Sequence, residues 1–246
     1  MHMLETIQLH MRWVHIAIGA SGLLAFWIPL LATKGGRAHV RSGRVFTWIC
    51  YAVLASAAVA VTLQMIQFWL RGIGPRQAPA IFSLYVFLGY LTVTTFAIVA
   101  HGRGAVIAKE NTHALRTPWR IAITALAVSG SIGLIAYAIY FKPPTFWVLL
   151  AISSFGFFAG YDAFSHMLKS RATTREWIYE HLNGMIGAGI AFYTAFAVFG
   201  SRALLDLNAL EASWVNVLPW LLPAAIGVPA TLYWKRLVMK RFDDRQ

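Results

Sequence analysis

The sequence predicts an all-α, polytopic membrane bundle of seven transmembrane helices that form one domain over residues 1–246. Hydrophobic residues make up 59% of the 246 residues and charged residues only 12%, whereas soluble domains are about 45–50% apolar and about 25% charged. The apolar residues fall in runs of about 20, enough to cross a hydrocarbon core of about 30 Å. Helices suit such runs because each backbone polar group must be satisfied within its own segment.

The apolar runs define seven predicted spans. Spans 4 and 5 are joined only by Lys142, Pro143 and Pro144, so we expect them to be antiparallel neighbours. The first run has neither a basic flank nor a clear small-residue cleavage site, so we expect it to remain as a helix. The spans cover residues 10–32, 45–69, 79–101, 118–141, 145–167, 178–200 and 215–235.

Lysine and arginine predict the orientation, because cytoplasmic loops carry an excess of both. Most of the 21 basic residues fall on one side of the seven spans, which places the N-terminus outside and the C-terminus in the cytoplasm. The predicted cytoplasmic side carries Lys34, Arg37, Arg41, Arg44, Arg103, Lys109, Arg116, Arg120, Lys169, Arg171, Arg175, Lys235, Arg236, Lys240, Arg241 and Arg245. The predicted outer side carries Arg12, Arg71, Arg76, Lys142 and Arg202.

The net charge of +12 would suggest nucleic-acid binding in a soluble protein. Here the basic residues lie in loops, and no basic domain with interleaved aromatic residues is present, so we predict no nucleic-acid partner. The predicted partner is the lipid bilayer. The basic cytoplasmic loops, above all Thr33–Arg44, are predicted to contact anionic lipid headgroups.

Candidate functional residues cluster around the hairpin Tyr161–Met185, which joins the fifth and sixth spans. It places Asp162, His166, Glu180 and His181 near the cytoplasmic face of the bilayer. Ionisable groups so close to lipid are costly and commonly functional. The third span ends at His101, so three histidines from three helices are expected at one depth.

Spacing suggests how these residues interact. Asp162 and His166 are four residues apart and share a helix face, so the carboxylate could fix the imidazole tautomer. The small residues that follow His181 would allow a neighbouring helix, or a flat cofactor, to approach closely. His15, in the outer half of the first span, has no evident partner from another span.

The leading interpretation is a redox or electron-transfer protein with one haem b or transition metal bound near the cytoplasmic face. Histidine is a usual axial ligand of haem iron, and His101, His166 and His181 offer candidate pairs, with Asp162 as an orienting group. His15 is the outer candidate, but it lacks a partner, so a two-haem wire across the membrane is not favoured. A partner membrane subunit would fit an electron-transfer role.

Two other functions remain open. In the first, a buried pair of Asp162 and His166 makes the protein a non-enzymatic, proton-sensitive transporter, sensor or assembly factor. In the second, Asp162, His101, His166 and His181 hold the metal of a membrane hydrolase with one open coordination position. No H-E-x-x-H pair supports the second. Each histidine could instead have an interfacial or structural role at a helix end.

Two stretches resemble a family of predicted multi-pass bacterial inner-membrane proteins of unknown function. The resemblance implies a multi-pass protein of the bacterial cytoplasmic (inner) membrane and supplies no activity. The first stretch carries His15, Gly19, Lys34, Gly35, Gly36, Arg37, His39, Gly43 and Arg44. The second carries Trp177, His181, Met185, Ala191, Thr194, Ala195 and Phe196.

Overall fold

The computed structural model of the chain describes residues 2–170, 175–200 and 218–243, and these residues form helices without any strand. A short 3₁₀ helix (Thr112–Leu115) follows α3, and a π-helical turn (Phe196–Gly200) extends α6. The predicted all-α fold is therefore confirmed for this part of the chain. The seven helices are α1 His2–Leu31, α2 Arg37–Leu70, α3 Pro79–Ala108, α4 Pro118–Phe141, α5 Phe146–Leu168, α6 Glu176–Ala195 and α7 Leu218–Asp243.

Six of the described helices, α1 to α6, are long and apolar enough to cross a membrane. This agrees with a multi-pass membrane protein. Helix α7 is not among them, since it contains Pro223 and Pro229 and its last turns carry lysine and arginine, which lower its hydropathy. The seventh span and the orientation of the termini remain predictions.

Several helix ends differ from those predicted: α1 and α2 begin earlier than their spans, and α3 and α7 end later. The segment 33–44 is not all loop, because α2 begins at Arg37. The tight turn before it uses Gly35 at φ +77°, a conformation that glycine adopts readily. Lys34 Nζ donates to the carbonyls of Pro29 (3.0 Å) and Leu30 at the end of α1, and partial burial lowers the pKa of this ammonium group.

The third helix also continues past its predicted end. It runs to Ala108, so His101 lies about two turns inside α3 rather than at its terminus. A helix interior fixes the direction of a side chain more firmly than a frayed end does. His101 is thereby held against the neighbouring helices.

Helix α3 occupies the centre of the bundle. It packs against α2, α4, α5 and α6, while α1 packs on α2, α5 on α4 and α7 on α6. The pairing of α4 with α5 was predicted from their three-residue connection. One core cluster, with Phe46, Val99 and Phe192, joins α2, α3 and α6. A second, with Tyr90 and Leu149, joins α3 to α5.

The contact between α3 and α6 is a backbone contact at two glycines. A Cβ atom built on Gly102 would lie 2.8 Å from Cα of Gly184, and one built on Gly184 would lie 2.6 Å from Cα of Gly102. Nearby, Gly187 faces Ile98 and Gly189 faces Phe26. The small residues of α6 therefore serve helix packing, which is one of the two uses expected from the sequence. Gly184 and Gly187 also line a cavity, so the other expected use, room for a flat ligand, stays a prediction.

Candidate metal centre

Three buried polar side chains converge from three helices: His101 on α3, His166 on α5 and Glu180 on α6. Their exposed fractions are 8%, 1% and 7%. His101 Nε2 lies 3.1 Å from Glu180 Oε2. The imidazole rings of His101 and His166 meet edge to face, with centroids 5.3 Å apart. One potential ligand atom from each residue lies within 4.8 Å of the other two.

His166 is the unusual member of this cluster. Neither of its ring nitrogens has a hydrogen-bond partner among the residues that the structure describes. A buried polar group without a partner costs about 1–3 kcal/mol, and most such groups in proteins are satisfied. The two nitrogens are therefore open to a partner other than the side chains and carbonyls of the described residues.

The end of α5 that carries His166 is fixed by the connection between α3 and α4. Arg116 donates from Nε to the Met167 carbonyl (2.6 Å) and from Nη2 to the Lys169 carbonyl (2.8 Å). Thr112 Oγ1 donates to the same Lys169 carbonyl at 2.6 Å. These bonds satisfy carbonyls that the helix leaves open at its C-terminus and hold the His166 ring against α3.

Asp162 lies one turn before His166 but interacts with α6. Its carboxyl group is within hydrogen-bonding reach of the Asn183 and Glu180 side chains. The predicted Asp162–His166 hydrogen bond is wrong, because both nitrogens of His166 are unpaired. The reason is that the Asn183 side chain of α6 reaches Asp162 and offers its carboxyl group an amide donor. Two adjacent carboxyl groups such as Asp162 and Glu180 repel unless a proton or a cation lies close to them.

His181 does not join the cluster. It follows Glu180 directly and therefore points about 100° away around the helix axis. Its Nδ1 donates to the Gly102 carbonyl at 3.3 Å, and its ring lies against that of His39, with centroids 6.4 Å apart. The expected set of three histidines is thus two histidines and one glutamate.

His15 is also separate from the cluster. It lies in the N-terminal half of α1, and its Nδ1 is 2.9 Å from Ser56 Oγ on α2. The same Ser56 hydroxyl lies 2.8 Å from the Val53 carbonyl, to which it can donate. This polar pair joins α1 to α2 away from the candidate metal centre.

Glu180 is the residue that sequence reasoning did not include among the ligands. Glu180 lies in the predicted hairpin beside His181, and the sequence of these two residues does not reveal which one faces His101. A usable signal was present, because Glu180 precedes Gly184 by four residues and so shares its face. The face of α6 that carries the glycine is the one that meets α3, next to His101.

The donor set suits a divalent transition-metal ion. Two imidazoles and one carboxylate occur in catalytic zinc sites, which keep an open position, and in non-haem iron sites. A haem with two histidine ligands needs the imidazoles on opposite sides of a flat macrocycle. Here the two imidazole rings contact each other and the Glu180 oxygen lies beside His101, which leaves no space for a macrocycle between the rings. This arrangement fits a bare metal ion better than a haem.

A cavity of about 410 Å³ adjoins the candidate metal centre. Its walls come from α3, α5, α6 and α7, and most of its lining is apolar. His101, Asp162, Glu180 and Asn183 form a polar end. The candidate metal centre therefore borders a space that an apolar molecule could enter.

Comparison of the chain with protein-family models, curated proteins and solved structures finds no match. The resemblance to predicted inner-membrane proteins therefore stays a prediction.

Proposed function

We propose that this chain is an integral membrane protein that binds one divalent transition-metal ion through His101, His166 and Glu180. The observation that carries the proposal is the buried His166, whose two nitrogens are unpaired and whose ring lies against His101. A metal ion would give one nitrogen a partner and would offset the charge of the Glu180 carboxylate. The six apolar helices support the membrane location.

The proposed topology and location follow the sequence. We place the protein in the bacterial inner membrane with seven spans, the N-terminus outside and the C-terminus in the cytoplasm, because basic residues favour the cytoplasmic side. The metal ion then lies near the cytoplasmic face. Three protein ligands leave at least one coordination position open, which suits an electron-transfer or oxygen-chemistry role for a redox-active ion.

A proton-sensitive transporter or sensor is the second candidate. The observation that favours it is the contiguous set of Asp162, Glu180 and His101, which lines the cavity. This set replaces the Asp162–His166 pair expected from the sequence. Such a relay needs no metal ion, so metal analysis separates the two functions.

Cobalt loading tests the proposal. Protein purified in detergent, stripped with a chelator and dialysed against Co²⁺ should bind about one ion per chain and show visible d–d bands, as an N/O-ligand site would. Replacing His166 with alanine should weaken cobalt binding at least about tenfold, which corresponds to ~1.4 kcal/mol. The control is His113→Ala, which removes an exposed histidine of the 3₁₀ helix and should leave cobalt binding unchanged.

Three results would contradict a bare-ion site. The wild-type protein could bind no stoichiometric cobalt, or His166→Ala could bind it as tightly as the wild type does. A Soret band in the purified protein would instead assign a haem. The Soret band is read from an absorbance spectrum of the purified wild-type protein, and the cobalt results from titrations of the wild-type and His166→Ala proteins.

A further inference from the structure

The cavity beside the candidate metal centre has features of a ligand site of its own. Its volume of about 410 Å³ falls within the range of small-molecule sites, about 300–1,000 Å³. Apolar and aromatic side chains from α3, α5 and α7 form most of the wall, among them Phe87, Ile152, Phe155 and Trp220. The ligand that fits is therefore largely apolar.

One wall of the cavity carries an unpaired hydroxyl group. Thr94 lines the cavity, is 1% exposed, and its Oγ1 has no hydrogen-bond partner among the described residues. By contrast, the hydroxyl of Thr92 on the same helix is paired, because it donates to the Leu88 carbonyl one turn earlier at 2.8 Å. The Thr94 hydroxyl is thus available to an oxygen atom of a ligand.

The second polar feature is the end formed by His101, Asp162, Glu180 and Asn183. His101 follows Thr94 by seven residues, or about 10 Å along α3. A ligand that satisfies both positions needs polar atoms at two opposite edges of an otherwise apolar body. A simple acyl chain has a polar group at one end only.

Charge restricts the ligand further. Asp162 and Glu180 at the polar end would repel a carboxylate or phosphate head, so fatty acids and phospholipids are disfavoured. A neutral head with hydroxyl or carbonyl oxygens can accept from Thr94 and Asn183, and can donate to a carboxylate. Quinones and quinols have this chemistry.

The cavity also has a route to the lipid. Phe158 and Tyr161 of α5 line the cavity, yet they are 70% and 77% exposed. Side chains that are both lining and exposed mark an opening at the surface of the bundle. A prenyl tail could leave through it into the bilayer.

We propose that this cavity binds a lipid-soluble quinone or quinol, with its ring oxygens bound by Thr94 and by the Asp162–Asn183 end. The tail passes Phe158 and Tyr161 toward the lipid. The proposal deepens the proposed function and rests on it in one respect, since His101 and Glu180 border both the metal ion and the ring. A quinone beside a redox-active ion would be its electron-transfer partner.

Decylubiquinone binding to the protein in nanodiscs tests the proposal, measured by titration calorimetry with empty nanodiscs as the blank. Thr94→Val removes the hydroxyl at nearly constant volume, and we expect binding at least about tenfold weaker, ~1.4 kcal/mol. Its thermal stability should be equal or higher, because the change removes an unsatisfied buried group. The matched control is Thr92→Val, which should keep wild-type quinone binding.

A second pair of variants tests the cavity itself. Ala159→Trp fills the cavity from α5 and should abolish binding, whereas Ala151→Trp on the exposed face of the same helix should not. The proposal would be overturned if Thr94→Val and Ala159→Trp bound the quinone as tightly as the wild type does, or if the wild type bound no quinone. So would displacement of the quinone by decanoic acid or dodecanol at equal concentration, which would indicate a general apolar chain site.

Chelator-stripped and cobalt-loaded samples separate this proposal from the metal site. Quinone binding without cobalt binding would overturn the metal proposal and leave the quinone site in place. Cobalt binding without quinone binding would overturn the quinone site and leave the metal proposal in place.

Discussion

At the scale of the residue, the candidate metal centre depends on which side chain of α6 faces His101 on α3. Glu180 approaches His101 to 3.1 Å, while the adjacent His181 bonds to the Gly102 carbonyl on another side of the helix. Two consecutive residues that could each bind a metal ion thus point in different directions from α6. The first is a candidate ligand, and the second helps to bind α6 to α3.

This difference gives a residue-scale prediction. Glu180→Gln keeps the size of the side chain and can still accept from His101, but it removes the anionic ligand. Cobalt affinity should fall at least about tenfold, ~1.4 kcal/mol. The metal-free protein should be as stable as the wild type or more so, because a buried carboxyl beside Asp162 is lost.

The matched variant is His181→Gln, one position along the same helix. It should retain cobalt binding, as measured by equilibrium dialysis. If His181→Gln lost cobalt and Glu180→Gln kept it, the ligand set inferred from the geometry would be wrong and the three-histidine set expected from the sequence would replace it.

At the scale of the element, the contact of α3 with α6 sets the position of the ligands. Small residues let helix backbones approach closely in membranes, where van der Waals packing and hydrogen bonds drive association. Gly102 directly follows His101, and Gly184 lies one turn after Glu180. The close approach of the two glycines therefore also brings the two candidate ligands together.

Gly184→Ala should separate α3 from α6. The added Cβ would lie 2.6 Å from Cα of Gly102 and 3.0 Å from the Ile98 carbonyl oxygen, which are backbone atoms that cannot rotate away. Overpacking of this kind costs about 1–3 kcal/mol, so the thermal unfolding temperature in detergent should fall, and cobalt affinity with it.

Gly133→Ala on α4 is the control. A Cβ there meets nothing within 4 Å, so stability and cobalt binding should match the wild type. Equal unfolding temperatures for the Gly184→Ala and wild-type proteins would show that the two helices can move apart without loss, and that the glycine contact does not position the ligands.

At the scale of the whole molecule, the distribution of charge predicts the orientation in the membrane. The connection between α2 and α3 and that between α3 and α4 lie at opposite ends of α3. Gln77 and Asn111 are exposed in these two connections. The natural cysteine, Cys50, is fully buried and can be replaced by alanine to give a cysteine-free parent.

Cysteine labelling checks this orientation. In the Cys50→Ala parent, Gln77→Cys should react with a membrane-impermeant maleimide in intact spheroplasts, because the positive-inside bias places it outside. Asn111→Cys should react only after lysis. The reverse pattern would invert the topology and move the candidate metal centre to the outer face.

The same parent tests the number of spans. If α7 crosses the membrane, a C-terminal fluorescent protein should fold and fluoresce on the cytoplasmic side, together with Asn111. A C-terminus on the side of Gln77 would leave six spans, the number that hydropathy supports among the described helices.

The sequence alone determined the helical class and most of the helix positions, and it predicted that several polar residues lie at one depth. Apolar runs predict membrane helices because hydrocarbon leaves the backbone no other partner. The predicted fourth span, 118–141, coincides with α4. His101, His166 and the hairpin were expected at one depth, and the structure brings His101 and His166 into ring contact.

Only the tertiary structure decided which side chains meet. Helical periodicity groups residues on a face but does not say which neighbour that face contacts. The Gly102–Gly184 contact turns Glu180, rather than His181, toward His101. The side chain of Asn183 on α6 reaches Asp162, which therefore does not pair with His166. The spacing of Glu180 and Gly184 places both on one face of α6, but which helix that face meets depends on how the helices pack together.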